Sequence, residues 1–130
     1  MDFFTHITFS DAPFLFSLSE PILLLGSCFV ENMGKRLEDN KFQIDLNPFG
    51  TLYNPASIAE ALRMLLHPER FTENNLFLHE GIYHSFSHHS RFSSSSAEDC
   101  LKNINDRLFL SAERLRQEQR LIVTWGTAWA

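Results

Sequence analysis

Pro21-Ile22-Leu23-Leu24-Leu25-Gly26-Ser27-Cys28-Phe29-Val30-Glu31-Asn32 is the stretch that decides the fold of this chain. Residues 22–25 are apolar without alternation, which suits a strand buried on both faces, as in a parallel sheet between helices. Gly26 closes the run. From Phe29 the pattern turns helical, with Val30, Met33 and Leu37 on one face and Glu31, Lys35, Arg36, Glu38 and Asp39 elsewhere. The helix should end near Asn40, and 42–46 reads as a second strand. A strand, a helix and a strand make a βαβ unit, so the fold class is α/β.

The reading extends outward from that unit. Residues 46–57 hold two Asn-Pro pairs and a glycine, a structured loop. Asn54 suits an N-cap and Pro55 a first helical residue. The following helix should bury Ile58, Ala61, Leu62, Leu65 and Leu66 and stop before Pro68. Residues 76–86 resemble a hairpin around Glu80-Gly81, and 88–96 a serine-rich loop. Ser95 with Glu98, or Ser96 with Asp99, matches a capping box for a helix over 97–119 that buries Leu101, Ile104, Leu108, Ala112 and Leu115. Residues 121–126 then repeat the signature of a buried strand closed by glycine. Upstream, 6–9 alternates like a short strand, and Phe3, Phe4, Phe9, Phe14 and Phe16 read as core or covering residues. There is no repeat or linker, so 1–130 is one domain. A sheet of so few parallel strands leaves its last strand uncovered, so the chain reads as the N-terminal fragment of a longer, mainly parallel α/β domain.

Composition narrows the function classes. The 130 residues carry a net charge of -5. That disfavours nucleic acid or an anionic membrane surface, both of which need a basic face. The N-terminus lacks the basic and apolar regions of a signal peptide, and no apolar run could span a bilayer. The two cysteines, Cys28 and Cys100, read as free thiols of a reducing, cytoplasmic setting rather than a disulfide framework. There is no P-loop, and Gly26 to Gly34 gives no dinucleotide fingerprint, so no cofactor is expected.

The chemistry-bearing feature is the turn itself. A buried strand, a Gly-X-Y turn and a helix project a side chain beyond the carboxyl end of the sheet, where ligands of open α/β folds bind. The free N–H groups of the helix point to the same place and stabilise negative charge. Cys28 there is set up as a nucleophile; the bland alternative is a small buried thiol packed behind the strand.

These residues resemble a known family. Residues 26–32 (GSCFVEN) resemble the motif that names the GSCFA family, with Val30 where the name has alanine. Residues 47–55 (NPFGTLYNP) resemble its second block and 124–129 (TWGTAW) its third, in the same order. The family resembles a distant branch of the SGNH/GDSL hydrolases, which implies a flavodoxin-like, three-layer α/β/α fold and ester chemistry: a hydrolase or acyltransferase acting on a small-molecule or carbohydrate ester. Laid on the superfamily's first block, Cys28 takes the nucleophile position; a frame shifted by one would give it to Ser27. Glu31 matches an acidic residue that often follows. Gly50 matches the glycine whose N–H joins the oxyanion hole, although it also suits a turn needing φ > 0. In the third block Thr127 could replace the usual asparagine donor, since Ala128 cannot donate from its side chain. The resemblance puts the partner Asp and His beyond residue 130, so the fragment alone is expected to be inactive.

Other residues carry two readings each. Asn47 and Asn54 could orient a substrate, or cap turns and a helix. His88 or His89 could serve as a local base for Cys28. Together with His79 and His84 they form a histidine-rich stretch, but none of their spacings is a zinc pattern, so no metal is expected. Outside the ester reading, the chain could be a non-catalytic module that kept the fold, or a thiol redox or metal-binding protein.

Overall fold

The computed structural model describes residues 5, 7, 8, 10–12, 14–117 and 120–126. Along the chain the elements are β1 (Ile22–Leu25), α1 (Cys28–Asp39), β2 (Ile44–Leu46), α2 (Pro55–Leu66), β3 (Phe77–His79), β4 (Ile82–His84), α3 (Ala97–Arg116) and β5 (Arg120–Val123). All four residues of β1 are buried, as a two-sided apolar run demands. Alternate side chains of a strand point to opposite faces. Ile22 and Leu24 pack with Val30 and Leu37 of α1; Leu23 and Leu25 pack with Ile58, Ala61 and Leu65 of α2 and Leu108 of α3. Helices therefore cover both faces of the sheet, giving three layers.

The sheet order is β2-β1-β5, and both pairings are parallel. This is the mainly parallel α/β architecture that the sequence predicts. β3 and β4 form a separate antiparallel hairpin. Its two turn residues, Glu80 (φ 49°) and Gly81 (φ 78°), both lie at positive φ, as a tight two-residue hairpin requires.

Helix ends follow their caps. Asn54 Oδ1 accepts from Ser57 N–H at 2.8 Å, and Ser96 Oγ accepts from Asp99 N–H at 3.2 Å, so Ser96 rather than Ser95 begins α3. A buried ion pair ties layers together: Asp45 of β2 is 3% exposed and is met by Arg107 of α3, which also donates to the Leu46 carbonyl at 3.1 Å.

Several expectations differ from the structure. Met33 is exposed because α1 lies against the sheet through Gly34, where a Cβ would come within 2.6 Å of Leu46 Cδ1; the helix is thereby rotated and Met33 points away. Leu66, the last residue of α2, is exposed. α3 ends at Arg116 rather than 119, and residues 118–119 lie outside the described residues. Ile7 and Thr8 form no strand, and the other two residues of 6–9 lie outside the described ones. Of the two readings of Phe14 and Phe16, core or covering, the structure gives the second: both are exposed, and their rings cover the Arg120 guanidinium at 4.6 and 5.3 Å. Phe3, Phe4 and Phe9 lie outside the described residues. Among the described residues no helix is long and apolar enough to cross a membrane.

Candidate functional site

β1 ends at Leu25, and Gly26 turns the chain out of the sheet with φ 152°. The turn passes hard against the exit of β5: a Cβ on Gly26 would lie 2.6 Å from the Thr124 carbonyl oxygen. Only glycine permits that approach. Ser27 follows as the N-cap of α1. It is 8% exposed, and its Oγ accepts from Phe29 N–H at 3.3 Å. Cys28, the first residue of the helix, is exposed and unbridged, whereas Cys100 is free and buried. The thiol thus stands at the first turn of a helix, at the carboxyl end of β1. On one side of β1 lies β2 and on the other β5, so this end of β1 borders the point where the strand order reverses, the place where open α/β sheets bind ligands.

Asn47 organises the turn from behind. It is fully buried and holds φ 42°, a left-handed conformation that asparagine tolerates. Its Oδ1 accepts from Gly26 N–H at 2.9 Å and its Nδ2 donates to Glu31 Oε2 at 2.9 Å. Its N–H donates to the Leu24 carbonyl, and its own carbonyl accepts from Gly50 N–H at 2.8 Å and from Arg91 Nη2 at 2.6 Å. Arg91 Nη1 also meets Glu31 Oε1 at 3.4 Å, with Lys35 a weaker partner at 3.7 Å. Glu31, in the first turn of α1, is in turn a favourable charge for that helix end.

The three sequence blocks converge here. Leu52 N–H donates to the Gly26 carbonyl and Gly126 N–H to the Tyr53 carbonyl, both at 2.9 Å. A Cβ on Gly126 would sit 3.4 Å from Ser27 Cβ. The model of the GSCFA family matches residues 21–130. This chain belongs to the GSCFA family. Comparison with characterised proteins and with solved structures gives no match.

Within the GSCFA second block, Gly50 has φ 91°, and a Cβ there would fall 2.2 Å from His89 Cβ. Glycine is needed for both reasons. The Gly50 N–H is engaged by the Asn47 carbonyl, so it could turn to an oxyanion only by giving up that bond. Asn54 caps α2 through Oδ1, and its Nδ2 donates to Ser57 Oγ at 3.0 Å. Thr127 of the third block lies outside the described residues.

The GSCFA chain's histidines fall into different surroundings. His88 is largely enclosed by the rings of Phe49, Phe71 and Phe92, at 5.0, 4.9 and 5.3 Å, and its Nδ1 pairs with Ser85 Oγ at 3.0 Å. Burial pushes its pKa down to about 4. His89 is exposed; its Nδ1 accepts from Arg91 N–H at 3.1 Å. His84 pairs with Ser93 Oγ. Among the described residues no histidine hydrogen-bonds the Cys28 thiol, and no three His, Cys, Asp or Glu side chains come together to hold a metal. A cleft of about 220 Å³, lined by Glu31, Thr51, His89 and Arg91, adjoins one of about 300 Å³ that reaches Ser57, Glu60, Met64 and Phe86. Thr51 and His89 line both.

Arg91 is the site residue that sequence reasoning misses. Its one signal is isolation: it is the single Lys, Arg, Asp or Glu between Glu80 and Glu98, in a stretch of serines, histidines and aromatics.

Proposed function

We propose that this chain supplies the nucleophile side of an SGNH-type ester hydrolase or acyltransferase, with Cys28 attacking the acyl carbonyl. The observation that carries the reading is the exposed Cys28 thiol on the first turn of α1 at the carboxyl end of β1, beside a Ser27 whose hydroxyl is engaged as the helix cap. That division of labour favours Cys28 over Ser27. The thiol proton passes to a base, the thiolate adds to the carbonyl, and the negative charge on oxygen is met by the free N–H groups of the helix terminus. Loss of the alcohol leaves a thioester on Cys28, which water or an acceptor hydroxyl then cleaves. In the superfamily that the motifs resemble, the base comes from a later Asp and His block. Among the described residues, His89 on the rim shared with Glu31 is the in-chain candidate once its Nδ1 is released from the Arg91 N–H, whereas burial among phenylalanines makes His88 a weak base. The substrate class that this reading favours is a small-molecule or carbohydrate ester. The adjoining cleft, with Ser57, Glu60 and His89 beside Met64 and Phe86, offers polar and apolar contacts for one.

One observation favours a binding role without chemistry: the Gly50 N–H is committed to its turn. The same experiment separates the two. Full-length protein is given p-nitrophenyl acetate, and turnover and peptide mass are followed. The ester reading expects an acetyl adduct on the Cys28 peptide, loss of turnover in Cys28→Ala, and residual turnover in Ser27→Ala. A folded full-length protein with no adduct and no turnover sinks it.

A further inference from the structure

We infer that Asn47 and Arg91 are positioning residues for Cys28: together they pin the strand-to-helix turn and offset the Glu31 carboxylate one helical turn from the thiol. The inference rests on the reading of Cys28 as nucleophile and goes beyond it, since neither residue is placed in contact with substrate.

Two segments distant from it in sequence, 26–31 and 85–92, meet on Asn47. Its Oδ1 takes the Gly26 N–H, the amide at which the chain leaves the sheet, so it sets where the turn begins. Its Nδ2 holds Glu31 of α1, and its carbonyl is held by Arg91 from the 85–92 segment. The Asn47 side chain is fully buried. The amide is matched to its partners: an acceptor faces the N–H and a donor faces the carboxylate. Residues three apart on a helix are neighbours, so the Glu31 carboxylate lies on the same side of α1 as Cys28. An unbalanced carboxylate there opposes a thiolate and the anionic intermediate. Arg91 supplies the balancing charge while fixing the Asn47 carbonyl with its second nitrogen, a two-point contact that the flexible, 64% exposed Lys35 cannot make.

The matched pattern suggests a swap. Asn47→Asp keeps an acceptor for Gly26 N–H but turns a second carboxylate oxygen on Glu31. Asn47→Asp with Glu31→Gln restores donor to acceptor with the amide and carboxylate exchanged, at unchanged net charge. The variants are made in full-length protein carrying Cys100→Ala, so that iodoacetamide reads Cys28 alone. Alkylation at neutral pH should slow about fivefold in Asn47→Asp and in Arg91→Met, the size of a nearby charge effect at a helix end, and should recover in the double variant. With p-nitrophenyl acetate the loss should fall on kcat more than KM, with the same rescue. Alkylation unchanged in Asn47→Asp and Arg91→Met, or a double variant no faster than Asn47→Asp, overturns the inference, whatever the melting temperatures do. If alkylation follows the expected pattern while no variant and no parent turns over the ester, the positioning role stands and the ester reading falls.

Discussion

At the scale of single residues, Gly26 carries the tightest constraint. Its φ of 152° and the Thr124 carbonyl oxygen 2.6 Å from a would-be Cβ leave no rotamer to adjust, because the obstacle is backbone. Gly26→Ala must separate β1 from β5 or bend the turn, and is expected to cost at least about 2–3 kcal/mol by combined strain and overpacking. Gly34→Ala is the control: its Cβ would meet the end of the Leu46 side chain, which can move. Urea unfolding of the two variants should rank Gly26→Ala well below Gly34→Ala; equal midpoints would contradict this. The importance of Gly26 is legible in the sequence, since a glycine ends an apolar run just before a helical pattern. Asn47 and Arg91 are not legible in the same way. Their roles come from contacts with residues 16 to 60 positions away, and spacing along the chain does not encode such contacts.

At the scale of elements, local signals did most of the work. The ILLL run, the Asn54-Pro55 cap, the Ser96 cap and the Glu80-Gly81 turn each depend on residues within a few positions, and each element forms where its signal lies. The misreadings arise where a neighbour decides. Met33 is turned outward because Gly34 lets α1 sit close on Leu46. Asp45, read simply as part of a strand, is buried against Arg107 on a helix 62 positions later. That pair fixes α3 to the edge strand β2. Arg107→Met strands the Asp45 carboxylate in the interior and, with Arg114 4.0 Å away as a partial substitute, should destabilise the fold by about 3 kcal/mol. Asp45→Leu with Arg107→Met removes both charges and should recover much of that loss. Chemical denaturation of the three proteins measures it, and a double variant as unstable as Arg107→Met would show that packing, not the stranded charge, dominates.

At the scale of the whole molecule, the 85–92 segment joins core and site. Its His88 is seated among Phe49, Phe71 and Phe92, while three residues on Arg91 reaches the Glu31 and Asn47 pair. Burial holds the His88 pKa at about 4 in the folded protein, against 6.5 for an exposed imidazole. The unfolded chain therefore binds a proton that the folded chain refuses between those values. The stability contributed by the neutral imidazole is fully present above about pH 6.5. It declines as pH falls, and the loss is complete near pH 4. Allowing for the ring's partial exposure, the loss amounts to about 2–3 kcal/mol. His88→Phe keeps a ring in the aromatic box and removes the titration. Carboxylates titrate alike in both proteins, so the difference between their unfolding free energies isolates the imidazole. That difference should shift by about 2–3 kcal/mol in favour of His88→Phe between pH 7 and pH 4, as measured by urea unfolding at both values. Parallel stability curves would mean that His88 takes up its proton in the folded state, and that the aromatic box opens without unfolding the chain.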